Sequence, residues 1–368
     1  MTLHSRSCTR IIRSRSRKLR TLASKPLTKN APGSQRAGAH RNSVDAMADP
    51  DASTEDAKPP SPKDVVKVLA ELGYVYKAPE GGSVSDERLT QVDDETKGFE
   101  WKGQENYDAV AAACALYCKT RLVLASGLME TALGEARCWA HPNDAGPNAP
   151  IIFLVCGSFP GGSAGVWGRS LCVNATLREG GMFDYIERCR SELGANVVVA
   201  DPNVSEEAGR IVQGSETPHR HLSTLYSRAI HKDETRPIAI VAHSYGASAV
   251  AFLFKDKPQC RDRIKAVALT DGCALYGSIL KEEVPPSGSQ RLEHNKKFAP
   301  AAFEDDADAG AAYAAVARNF VSSSEPAGTP LPGRGPFESV SAGATSHPAT
   351  THAATEEVFA FLKEKLAK

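Results

Sequence analysis

From about residue 63 the chain is built of short apolar blocks separated by polar turns. Pro150–Val155 (PIIFLV) is a continuous apolar run, the pattern of a strand covered on both faces. Asn196–Ala200 (NVVVA), Pro237–Ala242 (PIAIVA) and Lys265–Thr270 (KAVALT) repeat it, and Arg318–Ser322 and Glu338–Ala342 are weaker strand candidates. Leu72–Lys77 reads as a short strand near the start of the ordered part. Apolar positions three and four apart predict helices over Glu105–Arg121, Met182–Leu193, Pro218–His231, Tyr245–Phe254 and Thr355–Leu366. Strands that alternate with helices predict an α/β fold, a mainly parallel sheet flanked by helices on both faces.

The texture changes at the N-terminus. Residues 1–62 hold few large apolar side chains, so nothing there offsets the entropy of ordering; a disordered basic and Pro-rich tail is expected, followed by one domain over 63–368. The whole chain is neutral, with 44 basic and 44 acidic residues in 368. Residues 1–44, however, carry 11 Lys/Arg and no acid, which leaves 33 basic against 44 acidic residues beyond them, a net of −11. An acidic body does not predict a direct nucleic-acid interface. The Arg/Ser-rich, acid-free start fits a mitochondrial or plastid transit segment, a nuclear localisation patch, or a solvated tail with no address. No stretch approaches the ~18 consecutive apolar residues of a membrane-spanning helix, so no membrane association is expected. The nine cysteines are odd in number and irregularly spaced, as in reduced, mostly buried thiols of an intracellular protein.

One segment carries chemistry. The strand ending at Ala242 runs into Ala242-His243-Ser244-Tyr245-Gly246 and then directly into a helix. This is the arrangement of a nucleophile elbow, in which a serine sits on a sharp strand-to-helix turn with its hydroxyl clear of the sheet edge. Ser244 is the candidate nucleophile, and the Tyr245 N–H, opening the helix, is a candidate oxyanion donor. A plainer reading makes Ser244 a helix-capping residue. Gly161-Gly162-Ser163-Ala164-Gly165 matches the Gly-x-Ser-x-Gly pattern literally, but no strand feeds into it. It reads as the Gly-rich loop after Pro150–Val155, with Gly157 and Ser158 as the region of a second oxyanion donor.

A nucleophilic serine needs a base and an acid, and the chain order of this fold puts both after it. His347 follows the Glu338–Ala342 strand and is favoured as the base over His352; His294 lies in a polar insertion. Two acids remain open: Asp271, at the end of Lys265–Thr270, and Glu325, after Arg318–Ser322. Cys114 and Cys118 lie four apart on a helix without a second ligand pair and are expected to be core residues. His219 and His221 point apart on a helix, so neither metal nor cofactor is expected there or elsewhere.

Several segments together resemble the Arb-two (argonaute-binding) domain family. They are Cys156-Gly157-Ser158, Gly165 to Leu171 (GVWGRSL), Val197 to Asn203 (VVVADPN), Val241 to Gly246, Ala266 to Asp271, Asn319 to Pro326 and Val340 to Gly343 with His347. The match runs in order over roughly residues 65–366 and is similar to the animal cotranscriptional regulators of the family with sequence similarity one-seven-two. The resemblance implies an α/β-hydrolase-like fold, a serine nucleophile at Ser244, and a nuclear or cytoplasmic role in argonaute-, chromatin- or splicing-linked gene regulation through protein partners. Cys156 stands where a His-Gly pair is usual, and Ala247 where a second Gly is usual. Two functions are therefore expected to compete: a serine hydrolase acting on an ester or thioester, and a scaffold that keeps the site without using it.

Overall fold

The computed structural model describes residues 62–367, apart from 143, 160, 231–234, 273–302, 304–305 and 333–336. The expected tail up to residue 61, His231 and His294 lie outside the described residues. Helix α1 (Pro62–Glu71) leads into the hairpin β1 (Tyr74–Lys77) and β2 (Arg88–Gln91), then α2 (Gln104–Leu124). A second hairpin, β3 (Met129–Leu133) and β4 (Ala136–Ala140), precedes β5 (Ile151–Val155). Helices α3 (Arg169–Asn174), α4 (Leu177–Gly180) and α5 (Phe183–Leu193) follow, then β6 (Asn196–Ala200) and a two-residue hairpin of β7 (Glu206–Glu207) and β8 (Arg210–Ile211). The remainder is α6 (Pro218–Leu225), β9 (Ile238–His243), α7 (Gly246–Asp256), β10 (Ile264–Thr270), α8 (Ala307–Val316), β11 (Ala317–Val321), β12 (Glu338–Ser341), α9 (Thr350–Ala353) and α10 (Thr355–Leu366).

The apolar runs pair into one eight-stranded sheet in the order β12-β11-β10-β9-β5-β6-β4-β3. The six strands from β12 to β6 are parallel; β4 and β3 add an antiparallel hairpin at the edge. Side chains alternate across the sheet, so each central strand feeds two cores. Ile152, Leu154, Val197, Val199, Val241 and Ala268 pack under α1, α2, α5 and α10. Ile151, Phe153, Val155, Ile240, Val267 and Leu269 pack under α6, α7 and α8. Each fully buried Val, Leu, Ile or Phe contributes about 1.5–3 kcal/mol, so this double core is the main source of stability.

The helices start where local chemistry allows. Thr217 caps α6 by accepting the Arg220 N–H, with Pro218 in the first turn, where its missing N–H costs nothing. Asp306 caps α8 through the Ala309 N–H. The expected Pro218–His231 helix is α-helical only to Leu225; a π-helical turn, Tyr226–Ile230, completes its described part. The sequence pattern does not reveal α1, β2, the β3–β4 hairpin, the short helices α3, α4 and α9, the β7–β8 hairpin or α8. The half-exposed strands of the β3–β4 hairpin, bearing Glu130 and Arg137, show no continuous apolar run, and the Ala-rich α8 shows no amphipathic period. Among the described residues no helix is long and apolar enough to cross a membrane.

Candidate active site

Strand β9 ends in His243, and Ser244 turns the chain into α7 with φ of 52°, in the left-handed region that non-Gly residues rarely enter. Such a residue costs of order 1–3 kcal/mol and persists only where its surroundings hold it. Two hydrogen bonds do so: the Ser244 N–H donates to the Thr270 carbonyl at 3.1 Å, and the Ser244 carbonyl accepts from the Ala247 N–H at 3.2 Å. The turn also needs Gly246. A Cβ there would lie 2.6 Å from the Cys156 carbonyl oxygen and 2.9 Å from that of Val155, so α7 can start this close to β5 only with a bare Cα.

The neighbouring strand ends in the same way. Thr270 pairs with His243 in the β9–β10 register, so Ser244 and Asp271 leave the sheet side by side. Asp271 also has a positive φ, 50°. Its N–H is anchored on the Phe320 carbonyl at 2.8 Å. Its Oδ1 accepts the Ser322 N–H at 3.3 Å, and its Oδ2 lies 2.5 Å from Nδ1 of His347. Nε2 of His347 is 2.9 Å from Oγ of Ser244. Because Nδ1 faces a carboxylate it carries the proton, and Nε2 is left to accept from the serine hydroxyl. Burial alone would raise the Asp271 carboxyl; the hydrogen bond and charge of His347 and the Ser322 N–H outweigh it and hold the carboxyl below its ordinary value. His347 opens a 3₁₀ turn with Pro348 in second place, and its carbonyl is held by the Thr350 hydroxyl at 2.8 Å.

Beneath this trio lies a polar layer that the sequence reading gave no role. The His243 ring lies 4.8 Å from that of His347, tilted by 30°. Its Nδ1 is 3.0 Å from the Thr270 carbonyl, which can only accept, so Nδ1 carries a proton. The hydroxyls of Thr270 and Thr351 hydrogen-bond each other at 2.7 Å and both reach His243 Nδ1 at 3.2 Å. His243 is inside the quoted motif, but its place beside the His347 ring is a tertiary fact that no spacing reveals.

Gly157 and Ser158 follow β5 beside the elbow. A Cβ on Gly157 would stand 3.1 Å from Cβ of Ser244, so this backbone runs against the candidate nucleophile. Ser158 is exposed. Tyr245 stands at the N-cap of α7 with helical φ of −62°. The positive end of the helix dipole lies here as well. The thiol of Cys156 is buried, and burial pushes it up to about 12, which favours the neutral thiol.

The other sequence candidates lie elsewhere. Glu325 is exposed in the turn after β11, where its backbone N–H meets the Ser323 hydroxyl and its carbonyl accepts from Ser341; the bond to His347 Nδ1 comes from Asp271. The His352 carbonyl accepts the Thr355 hydroxyl at the start of α10. Cys114 and Cys118 are buried core residues, and burial pushes the Cys114 thiol up to about 12. Among the described residues no cluster of three or more His, Cys, Asp or Glu is placed to hold a metal ion. His219 meets Ser248 on α7, whereas His221 serves β6.

No family model matches the chain. A FAM172 family protein homolog of Caenorhabditis elegans is 29% identical across 55% of this chain and 64% of its own length. A cotranscriptional regulator ARB2A homolog of Dictyostelium discoideum is 28% identical across 29% of this chain and 37% of its own. The chain thus spans less than two thirds of either curated relative. Among solved structures, a histone deacetylase from Saccharomyces cerevisiae is similar over 70% of this chain and 98% of that one, with a TM-score of 0.41 and 11% identity. Est1E from Butyrivibrio proteoclasticus is similar over 66% and 99%, with a TM-score of 0.38 and 15% identity. The resemblance read from the motifs holds: the chain is similar to FAM172 and Arb2-type proteins, and its fold is α/β-hydrolase-like.

Two outcomes follow from this geometry. Gly246→Ala forces α7 away from the Cys156 carbonyl, and is expected to cost about 1–3 kcal/mol in denaturant unfolding; an unchanged midpoint would mean that the approach is not tight. His221 is held neutral, because its Nε2 accepts the Asp201 N–H at 3.3 Å while Nδ1 meets the Ser215 hydroxyl at 3.0 Å. Burial pushes it down to about 4, against the charge of Asp201. An unfolded imidazole titrates near ~6.5, so the unfolded chain binds the proton first and stability falls as pH drops from about 6.5 towards 4. Thermal melts of His221→Gln between pH 6.5 and 5 should lose stability less steeply than wild type; parallel slopes would show that His221 is protonated in the fold.

Proposed function

We propose that this chain is a serine hydrolase acting on acyl substrates, within a regulator of the FAM172/Arb2 type. The observation that carries the reading is the continuous relay from Ser244 Oγ through His347 to Asp271, on an elbow with positive φ. Ser244 attacks the acyl carbon and passes its proton to Nε2 of His347. Asp271 orients the imidazole and stabilises its cationic form, and it stays ionised at neutral pH. The negative charge on the former carbonyl oxygen is met by the Tyr245 N–H and by the Gly157–Ser158 backbone. His347 then gives its proton to the departing alcohol or thiol, and water, activated by the same imidazole, releases the acid. Acyl transfer of this kind needs no metal or cofactor.

A second reading rests on two other observations. Ser244 is only 6% exposed, and one relative is named as a cotranscriptional regulator homolog. In that reading the chain works through protein partners, argonaute or chromatin and splicing factors, in the nucleus, and the relay is a structural inheritance.

Labelling by a fluorophosphonate probe separates the two. Wild type should label and Ser244→Ala should not, with the variant's stability within about 1.5 kcal/mol, the worth of the hydroxyl's hydrogen bond. Asp271→Asn should keep the fold and lower kcat on p-nitrophenyl acetate by about 10⁴-fold. Absence of labelling in the folded wild type, or equal labelling in Ser244→Ala, would leave the scaffold reading.

A further inference from the structure

We infer that Asn203 is a positioning residue that fixes the orientation of the second oxyanion donor, an inference that rests on the hydrolase reading. Its side chain reaches back from the turn after β6 into the end of β5. Nδ2 of Asn203 lies 2.7 Å from the Gly157 carbonyl oxygen, 3.2 Å from the Ser163 hydroxyl and 3.4 Å from the Cys156 sulfur. The Gly157 carbonyl can only accept, so the atom facing it is the amide nitrogen.

A peptide unit is planar and trans, with its C=O and N–H on opposite sides. Holding the Gly157 carbonyl therefore also sets the direction of the Ser158 N–H, on the opposite side of the same plane. Gly157 has no side chain to hold that plane and lies in contact range of Ser244, so a bond from outside the loop must do it. Asn203 is itself braced. Pro202 restricts the backbone before it. Two residues earlier, Asp201 accepts the Ser163 N–H at 2.8 Å and Lys119 at 3.1 Å, while its own N–H is taken by His221. Asp201 is 2% exposed, and its bonds to the Ser163 N–H and to His221 are buried, where misorientation is not relieved by solvent.

The test uses the full chain with p-nitrophenyl acetate and the fluorophosphonate probe. Asn203→Ala is expected to lower kcat about tenfold or more with KM within about twofold, because the lost interaction matters at the oxyanion rather than in substrate binding. Asn203→Asp keeps the shape but accepts instead of donating, and should lose as much; Asn203→Gln keeps the amide and should recover part of the rate. A purely structural role would instead follow melting temperature and not sort the variants by donor. Wild-type kcat in Asn203→Ala, with wild type active, would overturn the assignment. If the folded wild type neither labels nor turns over, the hydrolase reading falls separately. Amide exchange over Cys156–Phe159 then decides the clamp: faster exchange in Asn203→Ala upholds it, and equal exchange removes it.

Discussion

The register between β9 and β10 is the constraint from which the candidate site follows. Thr270 sits opposite His243, so the next residue of each strand leaves the sheet at the same level. Those residues are Ser244 and Asp271, and both turn through the left-handed region. A slip of one residue would turn one of them to the other face of the sheet. The slip is prevented from both sides, because alternate residues of both strands are committed to different cores. Hydrophobic alternation, a property of stability, thus places two polar side chains next to each other at the sheet edge.

Around that pair the protein spends polar groups in layers. The first layer is the bond from Asp271 to His347 and on to Ser244. Behind it, His243, Thr270 and Thr351 join the ends of β9 and β10 to α9, which carries the chain on from the His347 turn. On the far side, Asp201 and Asn203 tie the Gly-rich loop to the end of β6. Buried networks of this kind are costly when incomplete, because an unpaired polar group inside loses its water without replacement. These bonds brace the ends of β9, β10 and β6 from both sides.

Much of this was legible in the sequence. Strands buried on both faces announce themselves as apolar runs, and β5, β6, β9 and β10 fall within a residue of the predicted limits. The elbow was legible because a strand, a serine and a glycine occur at fixed offsets. The acid was not, since Asp271 and Glu325 both follow strands; only the β10–β11 neighbourhood brings one of them to His347. The antiparallel β3–β4 hairpin was missed, because an edge strand with one wet face needs no apolar run. Asn203 could be seen in the sequence as part of a turn, but its reach to Gly157, 46 residues earlier, is set by the parallel pairing of β5 with β6.

The components of the relay are far apart in the chain. His347 is 76 residues beyond Asp271 and 103 beyond Ser244. A ribosome makes the elbow long before it makes the imidazole. At about 5–20 residues per second, several seconds separate the two. During that interval the Ser244 turn is displayed before the imidazole that it meets in the finished fold exists, however far the central strands of the nascent chain have paired. Only when the segment around His347 docks beside Asp271 does the hydrogen-bonded chain from Ser244 close, so that contact is tied to completion of the sheet rather than to the turn that displays the serine.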